Sequence, residues 1–488
     1  MGHSGFHFLA NLKPYTVRRG TGNRQFRGYL LSIDFAHQFA DLAREVLRDG
    51  DVLCADNGNV DVVRALIASN TAEASALDRE RRDHIADAER RRALHAELPA
   101  ALRDRYRSLA KHVSAASALV RERASIERMV RAQSALGPTY QIGGEDCTIS
   151  ALTALGVRPE IVALGTTFYS QIARSAVKLA QDTEAGRYGA SRAPVFACVH
   201  AADYDTARIA GRVAGKARVS GIAASLVSSL QSKDFIRSRI EAGKVINLTD
   251  SMPRPYVAVA QIVAGLHEGY VEASGHRPNF HALGMGTPIL LPLLAALGDG
   301  VTFTAADSTA PIIDGWSGPT ISLYVDEPAP LKYKAYKIAE VWLDGGRGWD
   351  CPCPYCRALE RAFPPRIDEA RKWRRDHPGK LSADSLRAES PLSGWLPLLG
   401  NAADPGLRLG GAMARVGHNH WILQRIETAA RHHSGSHDAL VKWVDGVVAS
   451  YIAAPSDPAW KLSITVAWQL LRASAERTRH ARPSSLAS

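Results

Sequence analysis

Short apolar runs alternate with helical patterns along most of this chain, and that alternation limits the folds open to it. Residues 195–199 suit a buried strand, whereas residues 168–181 carry apolar side chains at helical spacing. Strands that alternate with helices predict βαβ units and a parallel sheet. Eight candidate strands favour a (β/α)8 TIM barrel, an α/β fold, over an open sheet. The candidates are residues 30–33, 52–55, 139–142, 161–164, 195–199, 219–223, 280–283 and 301–305.

Composition narrows the class of protein further. The chain has 488 residues, of which 46% are apolar and 22% are charged, as is usual for a soluble globular protein. No apolar run reaches the roughly 18 residues that span a bilayer, so no membrane partner is expected. The six cysteines are few and the N-terminus lacks a secretory pattern, which indicates a cytoplasmic protein. A net charge of +11 suits a polyanionic partner.

Three of the six cysteines, Cys351, Cys353 and Cys356, form a C-x-C-x-x-C cluster. Three thiolates at this spacing can converge on one tetrahedral Zn²⁺, with His418 or His420 as the fourth ligand, of which we favour His418. A Cys₃His set leaves no open coordination position, so the metal is expected to be structural. The alternative is three unrelated buried or redox-active thiols, although a redox pair needs a thioredoxin-like context that this pattern lacks.

Polar residues follow several of the candidate strands. Asp56, His200 and Asp307 each come just after such a strand. In a (β/α)8 barrel the carboxyl ends of the strands form the face that carries the chemistry. Two carboxylates there suit glycosyl chemistry, because one can attack or shield an oxocarbenium-like C1′ while the other moves a proton. The alternative is that Asp56 and Asp307 only cap turns or helices.

Small residues shape two further strand ends. Gly284 and Gly286 lie in a loop before a helical pattern, where they could present backbone N–H groups to a flat ligand or form a tight turn. The segment 220–225, which ends at Ser225, permits either the close approach of a ring or tight packing of a strand on a helix. The sequence leaves both alternatives open for each segment.

Taken together, these motifs resemble the tRNA-guanine transglycosylase superfamily, in the same order, from residue 30 to residue 426. The cysteine cluster followed by His418 and Asn419 is similar to the zinc site of that family. The loop at 283–288, Leu-Gly-Met-Gly-Thr-Pro, is similar to its M-G-V-G-T-P loop, and residues 56–60 take the place of its D-S-G-G-F motif. The resemblance implies a zinc-containing (β/α)8 barrel that exchanges guanine for a 7-deazaguanine base in nucleic acid.

The resemblance also implies roles for individual residues. Asp307 takes the place of the nucleophile and Asp56 that of the general acid/base, with structural Zn²⁺ as the cofactor. The implied substrate-binding residues are Asn57, Gly58, His200, Ala224, Ser225, Leu283, Gly284 and Gly286.

Several positions depart from the family pattern. The segment 155–164 is similar to the family's L-G-S-D-I-x-M-x-F, but the base-recognising Asp would then fall near Gly165 and is missing. His200 replaces the amide of a V-Q-G motif, and Val60 replaces the aromatic residue that stacks on the base. No RNA-binding PUA domain is expected after the catalytic part. A chain with these departures resembles the DpdA-like DNA-guanine transglycosylase branch of the superfamily. That branch is associated with the modification of DNA rather than tRNA.

The expected organisation has three parts. A catalytic barrel covers residues 1–345, with an Arg-rich helical insertion at about 72–135. A zinc-binding subdomain covers 346–430, with an insertion at about 366–411, and a C-terminal helical segment, 431–488, packs on the barrel. The basic runs in the insertions either contact nucleic acid or form a solvated face.

The resemblance therefore predicts an enzyme that inserts a 7-deazaguanine base, such as preQ0, into double-stranded DNA through a covalent glycosyl-aspartate. Accessory proteins of a DNA-modification system are expected as further partners. The alternatives are a tRNA-guanine transglycosylase and a non-catalytic nucleic-acid-binding paralogue, and the retained Asp56 and Asp307 favour an enzyme over the latter.

Overall fold

The computed structural model describes residues 4–12, 26–48, 50–58, 60–84, 98–120, 123–157, 165–190, 193–226, 235–241, 244–298, 302–316, 320–324, 328–334, 351–362, 367–379, 405–453 and 458–483. The strands are β1 Phe6–Asn11, β2 Gly28–Ser32, β3 Val52–Asp56, β4 Tyr140–Ile142, β5 Val195–Val199, β6 Gly221–Ser225, β7 Phe235–Glu241, β8 Lys244–Pro253, β9 His276–Arg277, β10 Phe280–Leu283, β11 Thr304–Asp307, β12 Thr320–Tyr324, β13 Pro328–Lys334 and β14 Arg482–Pro483. The helices are α1 Ala36–Val46, α2 Val60–His84, α3 Ala100–Val120, α4 Arg123–Ala135, α5 Thr148–Ala154, α6 Thr166–Glu184, α7 Tyr204–Ala217, α8 Arg254–Ser274, α9 Leu290–Gly298, α10 Ala310–Trp316, α11 Pro354–Ala362, α12 Ile367–Asp376, α13 Pro405–His433, α14 His437–Ala453 and α15 Pro458–Thr478, and a 3₁₀ turn covers Ile33–Phe35.

Eight strands close into a barrel in the order β1-β11-β10-β6-β5-β4-β3-β2. Every neighbouring pair in it is parallel. Most connections between consecutive barrel strands contain a helix, so the fold is the expected (β/α)8 barrel. The structure confirms the α/β fold class.

The barrel strands are buried on both faces, which is why they read as short apolar runs rather than as alternating patterns. Inside the barrel, the Tyr140 and Phe196 rings stack with their centroids 4.4 Å apart, and Phe303 packs edge-on against Phe196 at 6.0 Å. A β-carbon at Gly221 would overlap the Phe196 ring, so a glycine there makes room for it. Outside the barrel, a larger apolar cluster joins the strands to α7, α8, α9 and α15.

Two strand predictions need correction. β1 forms the strand between β2 and β11, yet its apolar run is interrupted by His7, and the sequence did not single it out. His7 is buried because its Nδ1 accepts a hydrogen bond from Arg431 Nη2 at 2.6 Å. The candidate strand at 161–164 lies outside the described residues, and the barrel closes without it, since β4 pairs directly with β5.

Among the described residues between β3 and β4, helices α2, α3 and α4 form the insertion that the sequence predicts. Apolar residues of α2 and α3, such as Leu77 and Leu102, share one cluster with Leu152 of α5. The acidic partners of several arginines lie within this unit; for example, Arg105 pairs with Glu73 at 3.1 Å. The C-terminal helix α15 packs on α8, and its Arg477 donates to Glu268 at 2.7 Å. Among the residues that the structure covers, no helix is both long and apolar enough to cross a membrane.

Glycines let helices α7 and α8 approach each other closely. A β-carbon at Gly269 would overlap the backbone carbonyl oxygen of Arg208, and one at Gly211 would overlap that of Leu266. Backbone atoms cannot move aside as the end of a flexible side chain can, so these positions exclude larger residues.

We expect Gly269→Ala to lower the free energy of unfolding by about 1–3 kcal/mol, because overpacking separates the two helices. Gly446→Ala, in the middle of α14, is the matched control, because a β-carbon added there would meet no neighbouring atom within 4 Å. That change should raise stability by up to about 1 kcal/mol through helix propensity. Chemical denaturation of both variants measures the difference, and equal shifts in the same direction would contradict the packing argument.

Candidate active site and metal centre

The barrel brings the predicted strand-end residues to one rim. Asp56 ends β3, Asp307 ends β11, and His200 follows β5, and all three strands are parallel members of the same closed barrel. The negative charge of Asp307 contributes to the electrostatic environment of Asp56, as does that of Glu145. The rim therefore carries several carboxylates around one opening, at the end of the barrel where such folds place their chemistry.

Asp307 is held by two N–H donors. His281 Nε2 lies 2.9 Å from Asp307 Oδ1, and the backbone N–H of Gly284 donates to the same oxygen at 3.2 Å. Gly284 has φ +73°, a conformation that favours glycine and that turns its N–H toward the rim. The neighbouring Ser308 caps α10 by accepting a hydrogen bond from the Ala310 N–H at 2.9 Å. Asp307 is therefore a fixed carboxylate and does not itself cap α10.

Asp56 is partly buried beside Asp307, and its protonation differs from that of an ordinary aspartate. Burial raises the pKa of Asp56, the negative charge of Asp307 raises it further, and together they move it from 3.8 to about 7. An Asp with a pKa near neutrality can give and take a proton at physiological pH, which general acid/base work requires. Asp56 and Asp307 therefore lie in different environments: Asp307 is fixed by hydrogen bonds, and Asp56 has a raised pKa.

A third rim carboxylate, Glu145, escaped the sequence analysis. It follows β4 through two glycines, is 8% exposed, and its Oε2 lies 2.6 Å from His200 Nε2. The Cys198 thiol donates to the same oxygen at 3.1 Å. The signal that could have revealed it is a pair of acidic residues, Glu145 and Asp146, soon after a candidate strand.

Glu145, Cys198 and His200 lie close enough together to be considered as metal ligands. Two ligands of one tetrahedral Zn²⁺ at bond lengths near 2.1 Å stand roughly 3.3 Å apart. The 2.6 Å between Glu145 and His200 is instead the length of a charge-assisted hydrogen bond. We therefore interpret this group as a buried hydrogen-bond network.

The other residues predicted to bind substrate have mixed placements. Asn57 donates its side-chain amide to the Gly143 carbonyl at 3.0 Å, which ties the end of β3 to the loop after β4. Gly58 takes φ +60° and packs against Ile33 and Asp34. Of the rest, Ala224 and Ser225 end β6 beside β10, Ser225 is paired with Leu283, and Gly286 packs against Ser308.

The predicted metal ligands converge. Cys351, Cys353, Cys356 and His418 are all at most 1% exposed, and their ligand atoms lie within 4.8 Å of one another. His418 Nδ1 is 3.3 Å from Cys351 Sγ and 3.6 Å from Cys356 Sγ. Ligands of one tetrahedral Zn²⁺ at usual Zn–S and Zn–N lengths are roughly 3.5 Å apart. This cluster could hold a metal ion, and its geometry suits four-coordinate binding.

Local sequence explains the convergence. The Cys356 N–H donates to Cys353 Sγ at 3.2 Å, so the knuckle folds back on itself at the start of α11. A β-carbon at Gly417 would overlap the Tyr355 ring, and the glycine lets α13 lie directly on the knuckle. Burial by itself raises the pKa of a thiol, yet hydrogen bonds with Cys351 and Cys356 outweigh it and hold the pKa of Cys353 well below its usual range.

His420 is not the fourth ligand. Its Nδ1 lies 2.9 Å from the Val416 carbonyl, and its ring packs edge-on against Phe26. Burial lowers the pKa of His420 to about 4, so the ring is neutral. His418 lies two residues earlier on α13, and its ring nitrogen, unlike that of His420, lies among the cysteine sulfurs, as expected of the fourth ligand of this cluster.

The fold and these two sites together define a (β/α)8 barrel with a carboxylate-lined rim and a buried Cys₃His cluster. No protein-family model matches the chain. A search of curated proteins also found no significant match.

We expect Cys353→Ser to remove most of one bound metal equivalent and to lower the free energy of unfolding by roughly 4 kcal/mol or more, because binding of a structural metal is part of the folding free energy. Elemental analysis and thermal denaturation measure the two effects. Cys147→Ser is the matched control, since Cys147 is equally buried but lies in a different cluster. A metal-free Cys353→Ser protein as stable as wild type would contradict a structural metal.

A second prediction concerns Asp56. Its pKa is raised from 3.8 to about 7 in the folded protein, so the stability from its protonated form is complete below about 3.8 and is lost as the pH rises through about 7. Asp56→Asn removes this dependence. The melting temperature of the variant minus that of wild type should grow from pH 5 to pH 7 and then level off. A difference that does not change with pH would contradict the raised pKa.

Proposed function

We propose that this protein is a guanine transglycosylase that replaces guanine in DNA with a 7-deazaguanine base through a covalent glycosyl-aspartate. The observation that carries the proposal is the unequal pair of rim carboxylates. Asp307 accepts two N–H hydrogen bonds, which suits a carboxylate nucleophile, while the pKa of Asp56 is raised to about 7, which suits an acid/base. A buried carboxyl with a raised pKa beside a hydrogen-bonded carboxylate supports this division of roles.

The chemistry follows from these two residues. A carboxylate oxygen of Asp307 attacks C1′ as the bond from C1′ to guanine N9 breaks, and the bonding electron pair leaves with guanine. Protonated Asp56 gives its proton to the departing base. The incoming 7-deazaguanine then attacks C1′ through N9, Asp56 takes the N9 proton, and the electron pair of the ester bond returns to Asp307. No redox or nucleotide cofactor is needed for this exchange.

Glu145 and His200 at the rim support the binding of a guanine base. Glu145 is an acceptor, and guanine presents donors at N1 and N2 where adenine has no N1–H. Glu145 now pairs with His200. A bound base can take the place of His200 and donate a hydrogen bond to the same carboxylate. The target base must leave the helical stack before C1′ is reachable, so base flipping or distorted DNA is part of the proposal.

The metal centre fits the same proposal. A closed Cys₃His set suits structural Zn²⁺, which when bound would fix the knuckle against α13 and take no part in the base exchange. The cluster sits where the transglycosylase resemblance puts its zinc site, at Cys351, Cys353, Cys356 and His418. The convergence of the four residues that carry part of the resemblance supports the proposal.

DNA is the acceptor that we favour. The net charge of +11 suits a polyanion, and the pocket departs from the tRNA-modifying pattern at His200. The Arg-rich run at 90–92, a candidate phosphate contact, lies outside the described residues. Accessory proteins of a DNA-modification system and a cytoplasmic location complete the proposal.

The test is a trapped intermediate. Wild-type protein given duplex DNA and no incoming base should form a denaturation-resistant protein–DNA adduct, and added preQ0 should discharge it. Asp307→Asn should form no adduct while it keeps its affinity for DNA, because the amide lacks the nucleophilic charge. Gel mobility after denaturation and nucleoside mass spectrometry measure the adduct and the exchange.

Asp314→Asn is the matched control, since Asp314 is the next carboxylate along the chain and lies on α10 rather than at a strand end. If Asp314→Asn loses the adduct and Asp307→Asn keeps it, the nucleophile is misassigned. An adduct with tRNA but with no DNA duplex would favour the tRNA-modifying alternative. DNA binding without any adduct or exchange would favour the non-catalytic paralogue.

A further inference from the structure

A chain of buried polar groups runs from Asp307 across the barrel interior. His281 on β10 is fully buried; its Nε2 lies 2.9 Å from Asp307 Oδ1, and its Nδ1 lies 2.8 Å from the hydroxyl oxygen of Tyr140 on β4. The Cys54 sulfur is 3.8 Å from the same Nδ1. The exchange chemistry given above uses His281 only as a hydrogen-bond donor to Asp307 and does not use Tyr140, so the connection between the two residues calls for its own explanation.

Asp307 and the Tyr140 hydroxyl together favour one tautomer of His281. An ionised carboxylate only accepts hydrogen bonds, so the ring nitrogen that faces Asp307 must carry a hydrogen. In a neutral imidazole the other nitrogen is then an acceptor, and it accepts from the Tyr140 hydroxyl. Burial raises the pKa of Tyr140 well above its usual value, and the neighbouring Cys54 adds to this, so the phenol keeps its proton.

The hydrogen bonds to Asp307 leave its two oxygens unequal. His281 Nε2 and the Gly284 N–H both donate to Oδ1, at 2.9 and 3.2 Å. In the part of the chain that the structure describes, no hydrogen bond ends on Oδ2. Two donors that belong to the same strand and its following loop fix the plane of the carboxylate, and the lone pairs of Oδ2 stay available.

We propose that His281, oriented by Tyr140, is a positioning residue that directs Oδ2 of Asp307 at C1′ and keeps Oδ1 as the carbonyl oxygen of the glycosyl ester. This inference rests on the proposed transglycosylase function. In the first half, the Oδ2–C1′ bond forms as the C1′–N9 bond breaks and its electron pair leaves with guanine. In the second half, the Oδ2–C1′ bond breaks, its pair returns to the carboxylate, and the N–H groups of His281 and Gly284 stabilise the restored charge. His281 keeps its proton throughout.

A purely structural histidine would behave differently. A buried imidazole that only fills space can be replaced by an apolar residue of similar size with a change in stability but not in the rate of the chemical step. A positioning donor predicts the reverse pattern: a slower chemical step, unchanged DNA affinity, and recovery when another N–H donor replaces the imidazole.

The first experiment measures single-turnover formation of the protein–DNA adduct by wild type and by three variants. His281→Leu should slow it about 10²-fold, the usual effect of removing one donor to a reacting oxygen. His281→Gln should recover most of the rate, because its amide N–H can reach Oδ1. Tyr140→Phe should slow it by about 5- to 10-fold, because the favoured tautomer loses one hydrogen bond.

His267→Leu is the matched control. His267 is also fully buried, but it lies on α8 outside the barrel, against Phe280, and should leave the rate unchanged. DNA affinity and melting temperature are measured for every variant. A folded His281→Leu protein with the wild-type rate overturns the inference, as does a His281→Gln protein no faster than His281→Leu.

The second experiment does not depend on activity. ¹⁵N-histidine NMR of the full-length protein should show one neutral, Nε2-protonated ring that is lost in His281→Gln. In Tyr140→Phe the ring should stay Nε2-protonated, and its Nδ1 resonance should shift because that nitrogen loses a hydrogen bond. An imidazolium or an Nδ1-protonated ring at His281 overturns the inference. If wild type forms no adduct with any nucleic acid, the proposed function fails, and the NMR result still decides whether His281 orients Asp307.

Discussion

Pairing of β1 with β11 closes the barrel, and the electrostatics of the rim depend on that closure. The register sets Leu9 against Asp307, and Asn11 donates its side-chain amide to the Ser308 carbonyl at 2.8 Å. Without this ladder, β11 would be an exposed edge strand. The charge of Asp307 would then be screened by water, and the burial that raises the pKa of Asp56 would be lost. The unequal carboxylate pair is therefore a property of the closed sheet and not of either aspartate alone.

The barrel interior includes polar side chains among its apolar ones. Cys54, Tyr140 and His281 occupy positions that branched apolar residues commonly fill in barrels of this kind. Each polar atom costs free energy to bury, and the cost is offset only because each group is the partner of the next. Local departures from ideal apolar packing of this sort are expected at functional sites.

The sequence allowed the barrel, the strand-end positions of both rim aspartates and the Cys₃His cluster to be predicted, because each has a local signal. The cysteines lie within six residues, and Asp56 and Asp307 follow apolar runs directly. His281 and Tyr140 carry no such signal, since which side chains meet inside a barrel depends on strand register between distant segments. β1 was not predicted because His7 interrupts its apolar run. The burial of His7 depends on its hydrogen bond with Arg431, which lies 424 residues away in the sequence.

The same contact has a consequence for biosynthesis. β1 is made first, yet its partner β11 begins at Thr304, and Arg431 donates to the Phe6 carbonyl across 425 residues of sequence. At typical translation speeds of about 5–20 residues per second, β11 is synthesised roughly 15–60 s after β1. Helix α13, which packs on β1, is synthesised later still. During that interval the nascent chain carries an apolar strand with an unpaired edge, a structure prone to wrong pairing. Yield in the cell should thus respond to the pace of ribosomes and to holdase chaperones more than the stability of the finished barrel suggests.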